Sequence, residues 1–214
     1  MRVIVKLEVS MTTKELILSK SLQLFSQRGY EGVSMRDIAA EVGIKAASIY
    51  NHFSSKEEIF NHLLNEMELR YHQAVSAIGV PKGSAKEAAN GYVGITEEHL
   101  QVIAKGLFLY FLKDEFAAPF RRMVTAEQYR NSIAGDTFQR MYVSNALEFQ
   151  SALFGVLISQ GVFVESNPET VALHFYAPIF LLLSKYDKKP EKEAEAIEAL
   201  KNHVSQFSRL YSRR

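Results

Sequence analysis

The sequence predicts an all-α protein, and three observations carry that prediction. Apolar residues recur at steps of three and four along most of the chain. Glycine and proline are few, 11 and 5 in 214 residues, and most of them fall between the periodic stretches. Several stretches open on a Ser or Thr followed three residues later by an acidic residue, the mark of a capped helix start.

The elements follow in order. Residues 1–10, MRVIVKLEVS, alternate apolar and polar residues, are broken by Lys6 and Glu8, and lack the apolar run of a signal peptide. They are expected to form an extension outside the fold. Thr12 with Glu15 opens a first helix that runs to about Arg28, with Ile17, Ser21, Leu24 and Phe25 on one side and Gly29 as its stop. Ser34 with Asp37 opens a short second helix ending near Val42-Gly43, and a third covers roughly Lys45 to Phe53. Ser54 or Ser55 caps a long fourth, whose Phe60, Leu63, Leu64, Met67, Tyr71, Ala74, Val75 and Ile78 keep the helical spacing.

Residues 79–84, GVPKGS, are the clearest break in the chain. A short helical piece at 85–89 is followed by Gly91 and Gly94. Thr96 caps an apolar helix through Lys113, and 116–128 form another with Pro119 in its first turn. Residues 136–160 read as one long amphipathic helix stopped by Gly161. Asn167-Pro168-Glu169 starts a helix that reaches about Tyr186, and Pro190 opens the last, to about Leu210. The expected organisation is a small domain at 11–71 and a larger helical domain at 72–214.

Composition narrows the function. The chain is 47% apolar and 23% charged, as folded globular proteins are. Lys plus Arg number 25 against 24 Asp plus Glu, so binding nucleic acid through bulk positive charge is disfavoured, while a small local basic face is not. The lack of cysteine excludes disulfide frameworks, thiolate metal sites and cysteine nucleophiles, and fits a cytoplasmic protein. The best membrane candidate, 171–183, has 13 residues and contains His174 and Pro178, short of the about 20 a span needs. No membrane partner is expected. His62 with Glu66 and Glu68 with His72 are spaced as ordinary solvated helix pairs, not as a metal set. No nucleophile–base pair, paired-carboxylate site or phosphate-cradling loop stands out, so neither an enzyme nor a cofactor is expected.

The informative stretch is 34–56, SMRDIAAEVGIKAASIYNHFSSK. It holds two helices too short to be stable alone, joined by a tight turn at Gly43. Ile38, Ala39 and Val42 face inward on the first, and Ile49 and Phe53 anchor the second. This is a helix-turn-helix pattern, whose second helix enters a DNA major groove. With Ile49 and Phe53 turned inward, Ala47, Ser48 and Asn51 face away, Tyr50 lies on the flank, and His52 and Lys45 lie nearer the buried edge. Between residues 11 and 56 there are six Lys or Arg and four Asp or Glu, so one copy should bind DNA modestly.

Gly29-Tyr30, Arg36-Asp37-Ile38-Ala39, Val42-Gly43-Ile44, Ser48-Ile49-Tyr50-Asn51-His52-Phe53 and Lys56-Glu57-Glu58 resemble, in order and spacing, the TetR family of bacterial transcription regulators. The resemblance covers about Thr13 to Tyr71. It implies an all-helical homodimer in which an N-terminal three-helix DNA-binding domain sits on a larger domain that binds a small molecule and dimerises. It also implies that Arg36, Ser48, Tyr50, His52 and Lys56 contact DNA, with Ser34 capping its helix near a phosphate. The pattern departs at Lys45-Ala46-Ala47, where Ser or Ala, then a polar residue, then Gly or Pro are usual. Lys45 offers no capping oxygen, and a phosphate contact is its expected compensation. Ala47 offers a thymine methyl a surface but no hydrogen bond.

Phe108, Tyr110, Phe111, Phe116, Phe120, Met123, Tyr129, Met141, Tyr142 and Phe149 are denser than a bundle of this size needs. The resemblance places a ligand pocket in this region, beside the fourth helix. The expected lining is His72, Tyr92, His99, Tyr110, Phe111, Phe120, Met123, Tyr129 and Tyr142, each of which also has an ordinary reading as core or surface. The penultimate helix is apolar nearly all round. Together with the last helix it is expected to form a two-fold four-helix interface through Phe175, Ile179, Phe180, Leu183, Leu200, Val204 and Phe207. The alternative is that earlier helices cover those residues within one chain.

The leading reading is a repressor, released from a palindromic double-stranded operator by an unidentified small molecule. A regulator of the same fold governed by a protein partner, or by no inducer, is the alternative. In either case the fourth helix is the covalent link between the two parts.

Overall fold

The computed structural model describes residues 11–213, and the 1–10 extension lies outside the described residues. Eleven α-helices are present among the described residues. The first four are α1 (Thr13–Arg28), α2 (Met35–Val42), α3 (Ala46–Ile49) and α4 (Lys56–Ile78). The capping boxes at Thr12/Glu15 and Ser34/Asp37 form as the sequence requires, and the Ser55 hydroxyl caps α4 by accepting from the Glu58 N–H. Gly43 ends α2 in the left-handed region at φ 80°, a conformation that strains any residue with a Cβ.

The third helix is shorter than the spacing predicts. Its α-helical part is one turn, and tighter bonds (Asn51 N–H to the Ser48 carbonyl, His52 N–H to that of Ile49) carry the chain on to Phe53. No side chain caps its start at Lys45. Buried Ile49 and Phe53 hold it, because one turn of helix has no stability of its own.

Next come α5 (Ala85–Tyr92), α6 (Glu97–Lys113) and α7 (Ala117–Glu127). Helix α5 runs through Gly91 and is opened by a Ser84/Glu87 capping box. The predicted single helix at 136–160 starts earlier and is two helices, α8 (Ser132–Gln139) and α9 (Asn145–Ser159), joined by a π turn at Arg140–Ser144. Asn131 caps α8. The chain ends with α10 (Pro168–Tyr186), a 3-10 turn at Pro190–Lys192, and α11 (Glu193–Tyr211).

The run Ser132–Ser159, not 171–183, is the longest apolar helical stretch, and by length and composition it could cross a membrane. Its apolar side chains have another destination, because Met141, Ala146, Phe149, Leu153, Phe154 and Leu157 wall an internal cavity.

The buried side chains form three groups. The largest begins with Ile17, Phe25, Ile38, Ile49, Phe53 and Phe60 of the first four helices. It continues without a break through Phe120, Met123 and Val124 of α7 to Phe138 and Tyr142. The N-terminal unit therefore does not close its core alone. A second group joins α5, α9 and the start of α10, and a third joins α6, the end of α10 and α11.

This packing corrects the expected interface. Leu183, Leu200, Val204 and Phe207 are each under 5% exposed within a single chain. Leu183, Leu200 and Val204 pack with Phe108 and Leu112 of α6, while Phe207 packs tilted against Phe154 and edge-on against Phe175. Phe180 lies edge-on to Phe138, and Phe175 and Ile179 line the cavity. The earlier helices bury Leu183, Leu200, Val204 and Phe207, which are core rather than free surface, while Phe175, Ile179 and Phe180 stay half-buried.

Candidate DNA interface and ligand cavity

The turn from α2 into α3 presents one compact face. Arg36, Lys45, Ala46, Ala47, Tyr50 and Asn51 are exposed on it, and Ser48 and His52 are half-buried. Tyr50 is the most prominent, with 56% of its surface in solvent. Lys45, expected near the buried edge, is exposed. Behind this face Ile49 and Phe53 are buried, and Lys14 of α1 lies 5.2 Å from the Phe53 ring centroid. A Lys20–Glu41 ion pair at 3.2 Å ties α1 to α2. A rigid face with small residues, a phenol, an amide and two cations suits close approach to phosphates and base edges.

Lys56 is not part of that face. Its ammonium donates to the Tyr30 carbonyl at 2.7 Å, sits 4.1 Å from the Tyr30 ring centroid, and lies 3.8 Å from the Glu31 carboxylate. These contacts engage the cation inside the protein, so its visible work is to hold the 29–31 turn. Ser34 is exposed and its hydroxyl and N–H are both engaged with Asp37 in the α2 cap.

A cavity of about 970 Å³ opens beside the second half of α4. Glu68, Tyr71 and His72 of α4 form one wall; α6, the π turn with α9, α10 and the end of α11 form the others. Of the expected lining, His72, Tyr92, Phe111 and Tyr142 are in place. The other five are elsewhere. Phe120 and Met123 are fully buried in the core shared with α1, since α7 turns them toward the N-terminal unit. Tyr129 is 90% exposed in the turn after α7. His99 is exposed in the first turn of α6. Tyr110 meets Phe111 edge-on but lines a small cleft with Arg70 and Asp114 instead.

Sequence reasoning missed Gln150, Tyr176 and the apolar stripe of α9. The Tyr176 hydroxyl donates to the Tyr142 carbonyl at 2.6 Å, across the π turn. Burial pushes the Tyr92 phenol up to about 12 and raises those of Tyr71, Tyr142 and Tyr176 as well, so these groups stay protonated donors. Among the described residues no group of His, Asp or Glu is arranged to hold a metal ion.

The two motif helices, their buried anchors and the exposed face between residues 36 and 51 coincide with residues 17–63, which match the model for "Bacterial regulatory proteins, tetR family". Residues 17–63 thus match the TetR-family DNA-binding domain. Members of that family are transcriptional regulators that bind DNA. Over 206 residues, 95% of this chain and 90% of the relative, it is 24% identical to the probable HTH-type transcriptional regulator YttP of Bacillus subtilis. Over 47 residues it is 45% identical to IcaR of Staphylococcus epidermidis, named a negative transcriptional regulator of a biofilm operon. That match spans 22% of this chain and 25% of IcaR. Among solved structures, SmeT in complex with triclosan shares the fold at a TM-score of 0.65 and 16% identity, over 95% of this chain and 93% of SmeT. The chain thus joins a unit that matches the TetR-family DNA-binding domain to an internal cavity, with α4 running between them.

Proposed function

We propose that this TetR-family chain is a homodimeric repressor whose hold on its operator is released by a small molecule bound in the cavity. The observation that carries this reading is the wall formed by Glu68, Tyr71 and His72. They lie on the same continuous helix whose N-terminal half packs Ile59, Phe60 and Leu63 into the DNA-binding unit. A ligand pressing on that wall acts on a lever whose other end carries α3. The triclosan complex of SmeT, and the naming of IcaR as a negative regulator, support the two halves of the reading by likeness.

Two arguments support the dimer. A palindromic site presents its half-sites about 34–36 Å apart, which one α3 cannot span. On α10, Leu173, Ala177 and Leu181 recur at steps of four on the exposed side, with Leu173 51% and Leu181 66% exposed. We assign the two-fold contact to this stripe in place of the buried Leu183, Leu200, Val204 and Phe207.

The test is binding of the purified chain to DNA flanking its own gene, with and without small molecules extracted from its host. Specific binding that an extract releases supports the reading. Specific binding that no extract alters, combined with release by a captured protein, supports control by a partner instead.

A further inference from the structure

Resting on the reading of the α2–α3 face as a DNA surface, we infer that the base pairs facing α3 in each half-site are A·T, with Ala46 and Ala47 packed on thymine methyl groups and Asn51 paired to adenine. In a helix-turn-helix the first helix crosses the backbone, while the N-terminal residues of the second meet base edges in the major groove. Here those residues are Ala46 and Ala47, the first two of α3, and both are exposed. Ser48 is half-buried and Ile49 fully buried, so the leading edge of α3 offers two adjacent bare methyl groups. Consecutive Cα atoms are about 3.8 Å apart, close to the rise of about 3.4 Å between successive bases. Adjacent thymines present their methyl groups at that step, and of the four bases only thymine carries one.

The longer side chains fit the same base pairs. Asn51 is exposed four residues after Ala47, where the bonds from the Asn51 and His52 N–H groups keep the chain turning. A carboxamide pairs bidentately with adenine N6 and N7. The Tyr50 hydroxyl both donates and accepts, so it does not discriminate between pairs. The cations stand to the sides: Arg36 belongs to α2, the backbone-crossing helix, and Lys45 precedes α3. Both are exposed and suited to phosphates. A guanine facing the alanines would bring two acceptors to side chains that cannot donate, and the water stripped from them would go unreplaced.

The test lets the full-length protein select bound duplexes from a random pool. The selected half-sites should share a run of A·T pairs containing adjacent thymines. In that run, uracil in place of either thymine removes only the methyl group and should weaken binding about three- to fivefold. Hypoxanthine·cytosine shows a G·C-like edge in the major groove and an A·T-like edge in the minor groove. Put in place of one A·T pair, it should weaken binding as much as G·C does. Asn51→Ala, at an exposed position, should cost about 5- to 150-fold and erase the preference for adenine at one position. Adenine preference that survives Asn51→Ala at every position overturns the role given to Asn51. Uracil bound as tightly as thymine overturns the inference. So does hypoxanthine·cytosine bound as tightly as A·T, which would place the preference in DNA shape. Selected half-sites that share G·C pairs and no A·T run also overturn it, while leaving the DNA reading intact. A pool in which nothing is enriched overturns both.

Discussion

The carboxylate of Glu127, at the end of α7, accepts the main-chain N–H of Tyr30 at 3.0 Å, 97 residues away in sequence. Lys56 takes the carbonyl of the same residue from the other side. Tyr30 is thus clamped between the C-terminal helices and the start of α4, and the fourth helix is not the sole path between cavity and DNA face. The neighbouring Gly29 is required by this contact. It has φ 78°, and a Cβ there would stand 2.5 Å from Glu127 Oε1.

Removing that clamp should cost stability. Glu127→Ala leaves a buried N–H unmet and is expected to destabilise the protein by about 1–3 kcal/mol in urea unfolding, with Glu127→Gln milder because its amide oxygen still accepts. Gly29→Ala should be at least as harmful as Glu127→Ala. A neutral Glu127→Ala would show the contact to be incidental.

Tyr50 and Lys56 should respond in opposite ways. Tyr50 is exposed, so Tyr50→Phe should leave the melting temperature unchanged and weaken operator binding by about 1 kcal/mol if its hydroxyl meets a phosphate or base. Lys56→Ala should lower the melting temperature, with no change in the salt dependence of DNA binding. A salt slope reduced by about one unit in Lys56→Ala would restore the phosphate role that the resemblance implies.

The α10 stripe separates assembly from folding. Leu181→Glu places a charge on an exposed position and should yield folded monomers by light scattering, with weak half-site binding. Phe207→Ala empties a buried aromatic site and should instead cost about 3–5 kcal/mol of stability. Dimers that persist in both Leu181→Glu and Leu173→Glu would place the two-fold contact elsewhere.

Acid should loosen the DNA-binding unit through its helix caps. The Thr12 N–H and the Ser34 and Ser54 hydroxyls, each joined by a second bond from the same residue, hold Glu15, Asp37 and Glu58 below their ordinary values of 4.5, 3.8 and 4.5. Because the folded values are depressed, the stabilisation is present above the unfolded values and is lost as pH falls through the folded ones. The melting temperature should drop below about pH 4.5, and a Thr12→Ala, Ser34→Ala, Ser54→Ala variant should show a flatter acid limb. An unchanged limb would assign the acid sensitivity to other groups.

The helix-turn-helix was readable because its signals are local. A cap, a glycine stop and two anchors four residues apart act within one turn of chain, and Ser34, Gly43, Ile49 and Phe53 do what their spacing requires. The misplaced residues share a different cause. Periodicity shows that α10 is apolar all round but not whether its cover comes from α6 and α11 or from a second subunit. Aromatic density marks a region, yet it cannot tell Tyr142, under 3% exposed, from Tyr129 at 90%. Lys56 reads as a free cation until the fold brings Tyr30 to it across 26 residues.

The π turn at Arg140–Ser144 works as a phase shifter. One residue is accommodated there beyond what a continuous α-helix would hold, and each α-helical residue is worth about 100° of rotation. Before the turn, Ala134 and Phe138 point at α7 and the DNA-binding unit; after it, Leu153 and Leu157 point at α5 and α10. Deleting a single residue between 140 and 144 would let the ladder run straight and swing the whole of α9 by about a quarter-turn. The stripe walling the cavity would then carry different side chains without any of them having been mutated. Ligand preference in such a scaffold is therefore open to revision by insertion and deletion of one codon, a coarser and faster dial than substitution.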